Sequence, residues 1–558
     1  MKKSQIVTLS ILVLIALVMP MKARAEAWGN DPGHNHVREA KNLPDRLSSE
    51  TLIWQVDTGA KHQFPMPTIV GDKCLIGGNG GNPDPFYDRG GTLSCLSLKD
   101  GSEIWRLIVQ PGRGGGRNAY GICGVPVVEG NRVYILADFD VFCLDLNGLA
   151  DGNQGYQQEL SFLKDRQATR WKGEPLPADF ELPEWSADII WHYSLYPFGI
   201  RVQDSSSCSV IVVDDQLWIS TAEEHGSRSR NYQPAKNPPR MIVLDKNTGK
   251  LIARDEMDVP IVFHGEWSSP SAIEVNGEKA VIFGDGYGVL HAFATPEPAE
   301  DDSTVTLTEY WTFDMNLPEH RFLPDGREIV YTLDRRLAYK YPKDYFADAD
   351  KYFLYGEDPI TDSKAKFSGV GFKRKNYSDG MDEEVTGPCE IISMPAVVGN
   401  RIYLGIGRDR AYGLGKAKGR FVCLEVEDVK KAPKVLWEDR EVGRTQCTAS
   451  IADGLCYVAD GFGMLNCWDA DTGEVIYRYD LEDKRGIRER SQMLTDGKIY
   501  IANEKKEMKV LKAGREPILL GSDKLKQDAA TIDAVDGLVL VSMHRFVALY
   551  GDKNALPK

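Results

Sequence analysis

Cys467-Trp468-Asp469-Ala470-Asp471-Thr472-Gly473-Glu474-Val475-Ile476-Tyr477 is the stretch on which the fold turns. It reads as a β-rich strand, a polar turn ending in glycine, and a second strand carrying an aromatic residue. Glycine supplies the positive φ such a turn needs, and an Asp or Asn side chain closes it through its own hydrogen bonds. The same pattern recurs at Cys95-Leu96-Ser97-Leu98-Lys99-Asp100-Gly101-Ser102-Glu103-Ile104-Trp105 and at Val243-Leu244-Asp245-Lys246-Asn247-Thr248-Gly249-Lys250-Leu251-Ile252.

A second recurring piece lies upstream of these units. Arg132-Val133-Tyr134-Ile135-Leu136, Gln216-Leu217-Trp218-Ile219-Ser220, Arg401-Ile402-Tyr403-Leu404-Gly405 and Lys498-Ile499-Tyr500-Ile501-Ala502 each follow a Gly, Asp or Asn turn and an earlier apolar strand. The repeat unit is therefore four antiparallel strands, named A to D from the inside outward. Its tightest copies recur at about 40 residues, a spacing suited to propeller blades. D strands fall at Trp54, Trp105, Trp191, Leu251, Trp311, Trp437, Tyr477 and near Ile518. A-B-C groups start near Phe64, Ile122, Cys208, Ser268, Met394, Thr448, Ser491 and Thr531. The first D strand precedes every A-B-C group and the last group lacks one. Both are resolved if the strand around Trp54 completes the sheet at residues 531–550. The reading is all-β: an eight-bladed β-propeller of four-stranded antiparallel blades, closed by the N-terminal strand, which leaves no open sheet edge between the chain ends.

Lys2 and Lys3, the apolar run Ile6 to Met19 and Ala23-Arg24-Ala25 form a secretory signal pattern. The run is shorter than the roughly 20 residues a bilayer span needs. Residues 1–25 are thus expected to be a cleaved signal, 26–50 an N-terminal extension and 51–558 one propeller domain with a long insertion at 312–390. The destination is the periplasm or the exterior, with no membrane insertion after cleavage. Losing Lys2, Lys3, Lys22 and Arg24 leaves 63 basic against 82 acidic side chains, a balance of −19. So acidic a chain excludes broad nucleic-acid or anionic-membrane binding, which needs concentrated Lys and Arg.

These repeats resemble the pyrroloquinoline-quinone (PQQ) family, whose blades carry an Ala-x-Asp-x-x-Thr-Gly-x-x-x-Trp-like signature matched best at Cys467 to Tyr477. The chain also looks like large exported bacterial PQQ-like propeller proteins, through His264-Gly265-Glu266-Trp267-Ser268-Ser269-Pro270 and Cys208-Ser209-Val210. The architecture serves dehydrogenases and non-enzymatic assembly factors alike. For the enzymes the resemblance implies PQQ as hydride acceptor, calcium held by Glu, Asn and Asp, and a further Asp as base. Glu266 and Glu390 match carboxylate parts, but no Asn or Asp matches residue by residue. The adjacent cysteines of many such enzymes do not occur here, though a soluble glucose-oxidising branch also lacks them.

The long stretches 78–90, 109–121, 195–207, 222–240, 312–390 and 407–420 fall in D-to-A or B-to-C connections, on one propeller face. Only 148–187 and 296–306 fall in C-to-D connections. Long loops in compact folds are commonly functional, so that face is the expected binding surface. Residues just before each A strand should ring the channel there: His62, Gln63, Arg117, Tyr120, Asp204 to Ser207, His264, Glu266, Trp267, Glu390, Arg444, Gln446, Arg490, Gln527 and Asp528. Of these, Arg117, Glu266, Trp267, Glu390, Arg444 and Arg490 suit an acidic planar cofactor with a hard cation: Arg pairs carboxylates, Trp stacks, and carboxylate oxygens suit Ca²⁺. The plainer alternative is a solvated channel mouth, with Trp267 between blades and Glu266 bonding loop amides.

His34-Asn35-His36 has no third metal ligand nearby and reads as a solvated tail. If Ala459 pairs with Met464, Cys456 lies opposite Cys467, near disulfide distance; at most one or two disulfides are expected, and buried thiols otherwise. The preferred function is a binding or interaction module taking a protein, glycan or small ligand at the channel mouth. The alternative is a PQQ- and calcium-dependent periplasmic dehydrogenase oxidising an alcohol or sugar, with a carboxylate as general base.

Overall fold

The polar turns of the repeat fold as their side chains dictate. In the computed structural model, Asp469 Oδ1 accepts the amides of Asp471 and Thr472 and the Thr472 hydroxyl at 3.3, 3.1 and 3.0 Å. Asp245 does the same for Thr248, at 2.8 Å from the amide and 2.9 Å from the hydroxyl. Gly473 then closes its turn at φ 74°, a conformation open to glycine at little cost. The structure describes residues 32–60, 66–79, 91–109, 122–137, 139–162, 179, 181–200, 208–221, 238–257, 266–322, 326, 328–331, 337–340, 352–354, 357–358, 363–364, 388–407, 419–483 and 491–558. The signal-like leader lies outside them.

Eight four-stranded antiparallel sheets form the ring. Blade 1 comprises Thr68–Val70, Lys73–Asn79, Gly91–Ser97 and Glu103–Val109; blade 2, Val127–Glu129, Arg132–Ala137, Asp140–Asp145 and Ile189–Ser194. Blade 3 is Ile211–Val213, Gln216–Ser220, Met241–Asp245 and Leu251–Arg254; blade 4 is Ser271–Val275, Glu278–Gly284, Val289–Ala294 and Glu309–Asp314. Blade 5 is Ala396–Val398, Arg401–Ile406, Arg420–Glu425 and Lys434–Asp439; blade 6 is Ser450–Ala452, Leu455–Ala459, Met464–Asp469 and Val475–Asp480. Blade 7 is Met493–Thr495, Lys498–Ala502, Glu507–Lys512 and Ile518–Lys524. Blade 8 takes three strands from the C-terminal end, Ala529–Val535, Leu538–Met543 and Phe546–Gly551, and its D strand, Leu52–Asp57, from the N-terminal side. Trp54 pairs with Leu549 there, so the ring closes as the strand count requires. The insertion leaves blade 4 after Asp314 and includes a three-stranded sheet, Glu328–Tyr331, Leu337–Lys340 and Tyr352–Leu354.

Blades lock to one another through the D-strand tryptophans. The indole N–H of Trp54 donates to Leu98 O, Trp105 to Leu146 O, Trp191 to Lys246 O, Trp311 to Val429 O and Trp437 to Ala470 O, at 2.8–3.1 Å. In each case the acceptor follows the C strand of the next blade. The turn glycine sits against the same ring: a Cβ on Gly473 would lie 2.5 Å from Trp437 Cγ, and one on Gly249 2.6 Å from Trp191 Cε3. The repeat's glycine is thus demanded twice, by φ and by the neighbouring blade's tryptophan. Every C–D pair also carries a register shift; such bulges bend and twist the strand that carries them.

At the axis, hydroxyl groups join the inner strands. The amides of Val125, Ser209, Met394 and Thr448 donate to Ser209 Oγ, Ser269 Oγ, Thr448 Oγ1 and Ser491 Oγ of the following blade, at 2.8–3.2 Å. Two residues on, the hydroxyls of Thr68 and Ser271 donate to the next blade's Pro126 and Pro395 carbonyls.

Two expectations are corrected. Residues around His34-Asn35-His36 are no solvated tail: both histidines are 1 % exposed. The segment lies against the inner strands, where those strands offer unpaired edges. Val37–Arg38 runs parallel to the A strand of blade 7, and Arg38 makes a two-point ion pair with Asp533 of blade 8 at 2.6 and 2.7 Å. Cys456 does not face Cys467. Ala459 pairs with Leu465, because the turn Asp460 to Met464 takes one more residue than a four-residue hairpin, so Cys456 opposes Trp468 and Cys467 opposes Tyr457. A one-residue shift sends the two thiols to opposite sheet faces, and all ten cysteines are free. Burial raises the Cys467 thiol to about 12.

Two outcomes follow from this packing. Trp437→Ala is expected to cost about 3–5 kcal/mol and Gly473→Ala about 2 kcal/mol. In urea unfolding the double variant should lose less than the sum by ~0.5 kcal/mol or more; strict additivity would show that the ring and glycine do not interact. Burial, with the charge of Arg38 second, lowers the pKa of His36 from 6.5 to about 3. Folding therefore favours neutral His36, a contribution complete above the unfolded value and lost as pH falls from it toward 3. Thermal melts between about pH 7 and about pH 4 should show wild type losing Tm faster than His36→Gln; parallel curves would contradict the assignment.

Candidate binding site at the blade lead-ins

Among the described residues, Glu266 and Arg444, which precede the A strands of blades 4 and 6, each touch the B-to-C connection of their own blade and that of the blade before. Glu266, before blade 4, is 0 % exposed. It is ion-paired to Arg240 at the start of the blade 3 C strand, and its other oxygen accepts the Gly286 amide of the blade 4 turn at 2.5 Å. Burial raises its pKa to about 7, against the pull of Arg240. Glu390, before blade 5, is 1 % exposed. Its neighbours are fixed on both sides: the Cys389 amide donates to Asn316 Oδ1 at 2.8 Å and the Ile391 amide to Asp285 O at 3.2 Å. Arg444, before blade 6, is 1 % exposed, and its carbonyl accepts the Gly461 amide at 2.8 Å. Its Cβ would lie 2.3 Å from a Cβ placed on Gly407 of the blade 5 turn, so glycine there makes room for it. Trp267 is half-buried.

Glu266 and Trp267 precede the A strand of blade 4, Glu390 that of blade 5 and Arg444 that of blade 6. Arg117 and Arg490 lie outside the described residues, as do His62, Gln63, Tyr120, Asp204 to Ser207 and His264. Gln527 accepts the Arg545 amide at 2.9 Å.

The Glu266 junction extends into a network that sequence reading did not single out. Asp285 Oδ1 accepts the amides of Tyr287 and Val289 at 3.0 and 2.6 Å. His291 bridges Asp285 Oδ2 at 3.3 Å and Glu309 Oε1 at 2.6 Å. Burial alone would lower the imidazolium, but these two carboxylates outweigh it and raise its pKa to about 9; in return His291 holds Asp285 below the usual carboxylate range despite its burial. Arg240 and Met241 donate their amides to Asp255 Oδ1 at 2.7 and 2.6 Å. A sequence signal for the turn exists: Asp285-Gly-Tyr-Gly matches Asp460-Gly-Phe-Gly of blade 6, where Asp460 Oδ1 likewise accepts the Phe462 and Met464 amides.

This geometry decides what Glu266 can do. A calcium ion needs carboxylate oxygens turned toward it, yet one Glu266 oxygen is held by a guanidinium and the other by an amide. A cation placed there would meet the Arg240 charge. Among the described residues no group of three or more His, Cys, Asp or Glu side chains is arranged to hold a metal ion. Glu266 fits a structural junction and does not fit a calcium site. Glu266→Ala should strand Arg240 in the interior and cost about 3–5 kcal/mol, with much of this recovered in Glu266→Leu/Arg240→Met. Chemical denaturation checks it; a loss within ~0.5 kcal/mol would show the pair to be idle.

Residues 425–517, from the end of the blade 5 C strand through blade 6 to the last blade 7 connection, match the family model described as outer membrane protein assembly factor BamB. No curated protein matches the chain in sequence. Among solved structures, BamB from Moraxella catarrhalis is similar at TM-score 0.48 and 10 % identity, over 90 % of this chain and 99 % of that one. The quinohemoprotein alcohol dehydrogenase of Comamonas testosteroni is similar at TM-score 0.43 and 11 % identity, over 95 % and 81 %. A europium-containing methanol dehydrogenase is similar at TM-score 0.40 and 13 % identity, over 88 % and 90 %. The match over residues 425–517, taken with the eight-bladed architecture, is consistent with a β-propeller of the PQQ-repeat type.

Proposed function

We propose that the protein is an exported quinoprotein-like propeller that acts as a binding module, taking a protein, glycan or small ligand on the face built by its D-to-A and B-to-C connections. The observation that carries this reading is the unequal length of the connections on the two faces. On one face all eight A-to-B connections are two-residue turns, such as Asn276-Gly277 and Asp453-Gly454, and only two C-to-D connections, 146–188 and 295–308, are long. On the other face, blade 3 spans 221–240 between its B and C strands and blade 5 spans 407–419, while 315–395 joins blades 4 and 5. Tight hairpins leave little to recognise with; long connections on a rigid ring are where binding residues commonly lie. The family model's description as an assembly factor agrees with recognition.

Export rests on Lys2, Lys3, the apolar run to Met19 and Ala23-Arg24-Ala25. No helix among the described residues is long and apolar enough to cross a membrane. The dehydrogenase alternative needs PQQ and calcium. Of its candidate residues Glu266 is already held by Arg240 and Gly286, which favours the recognition reading.

A photo-crosslinking side chain tests the face directly. At Trp267 on the long-connection face, it should yield an adduct in cells of the source organism. At Asn276, on a two-residue turn, it should yield none. Adducts at Asn276 alone would place recognition on the opposite face and overturn the proposal.

A further inference from the structure

The inner edges of the A strands are occupied in an unusual way. Residues 32–38 pass the blades in order, and at each one an edge group of the A strand is bonded. The Ala272 amide of blade 4 donates to Pro32 O at 2.9 Å, and the Val397 amide of blade 5 to Gly33 O at 2.7 Å. At blade 6 the Asn35 side chain stands in for a backbone partner: its Oδ1 accepts the Ile451 amide at 2.8 Å and its Nδ2 donates to Ile451 O at 2.9 Å. The His36 amide donates to Ala449 O at 3.1 Å, and the Ser450 hydroxyl donates to His36 O at 2.8 Å. At blade 7 the segment becomes a parallel strand, Val37 beside Leu494 and Arg38 beside Thr495. At blade 8 Arg38 forks onto Asp533, whose Oδ2 also accepts the Ile69 amide of blade 1 at 2.7 Å. The chain then leaves past the A-to-B turns, where the Gly537 amide donates to Lys41 O and the Leu43 amide to Asp496 Oδ2.

At blade 7 the segment adds to the sheet edge as a strand, and at the other blades it crosses the A strands with one or a few bonds each. Main-chain bonds give affinity with little regard to side chains, and a few buried polar contacts give choice. Here the choice lies in Asn35, which needs an exposed N–H and C=O of one residue, and in Arg38, whose fork matches a buried carboxylate. We propose that the inner edges of blades 4 to 8 form an extended-peptide site. Its resident ligand is residues 32–38 of the same chain, and it takes in trans an extended peptide with Asn and Arg three residues apart whenever the resident segment is withdrawn. The site is separate from the long-connection face and does not rest on the function proposed for it. A tethered ligand acts at an effective concentration of the order of millimolar, so free peptide should not displace the wild-type segment.

The test uses the full chain with Asn35→Ala and Arg38→Ala, and a fluorescent peptide of residues 31–41. Anisotropy should show the variant binding this peptide at least ~10-fold more tightly than wild type does, and the peptide carrying Arg38→Ala should lose ~10-fold or more, each factor worth about 1.4 kcal/mol. Equal binding by the two proteins, or by the two peptides, would overturn the proposal. Should the variant fail to fold, a protease site placed at Ser48 to Glu50 of the otherwise wild-type chain answers the same question. After cleavage the N-terminal fragment should co-elute with the ring in gel filtration, and the fragment carrying Arg38→Ala should separate. Loss of the wild-type fragment on cleavage, or retention of both, would likewise overturn it.

Discussion

The architecture depends on one repeated contact, the docking of a D-strand indole onto the polar turn of the next blade. A four-stranded sheet cannot bury both faces alone. The indole supplies a large apolar surface and one N–H; the turn supplies a carbonyl and, against Trp54, Trp105, Trp191 and Trp437, a flat glycine floor. Five junctions use this contact directly: blade 8 to 1 through Trp54, then Trp105, Trp191, Trp311 and Trp437. Because Trp54 precedes blade 1 in the chain yet belongs to the sheet of blade 8, the same contact that joins ordinary neighbours also seals the ring. The Arg545–Asp57 ion pair at 2.7 Å lies beside that seam.

Closer to the axis, the constraint changes from apolar docking to hydrogen-bond supply. Narrow inner strands present amides and carbonyls that neither a neighbouring strand nor a bulky side chain can reach, and buried unmade bonds cost roughly 1–3 kcal/mol each. Small hydroxyl residues solve this between adjacent blades, as at Ser209, Ser269, Thr448 and Ser491. Residues 32–38 solve it along the arc from blade 4 to blade 8. At the strand lead-ins, charge takes over: Glu266 with Arg240, and His291 between Asp285 and Glu309, hold adjacent turns in place.

What was legible in the sequence, and what was not, follows the range of the interactions. Strand count, turn positions and ring closure are local: the Asp469-to-Gly473 turn and the spacing of Trp54, Trp105 and Trp191 carry them within a few residues. The place of His34 to Arg38 was not legible, because its partners, Ile451, Leu494 and Asp533, lie more than 400 residues away, and two histidines with an asparagine look polar and solvated. Arg240 and Glu266 are only 26 residues apart, yet no periodicity links the start of one blade's C strand to the approach of the next blade. The misjudged pairing of Cys456 with Cys467 came from a single residue of turn length. Of the candidate site residues, Glu266, Trp267, Glu390 and Arg444 were placed correctly before A strands. That Glu266 and Arg444 would each be wedged between the turns of two blades follows only from the ring.

The functional account rests on a ring whose inner polar groups are engaged in holding blades together and whose long connections lie mostly on one face, 146–188 and 295–308 being the long ones on the other. Its central claim is recognition without a quinone cofactor. Calorimetric titration of the purified protein with PQQ, in the presence and absence of Ca²⁺, tests this most directly. The account predicts no calcium-dependent heat of binding; a calcium-dependent signal at micromolar affinity or tighter, about −8 kcal/mol, would contradict it and restore the dehydrogenase.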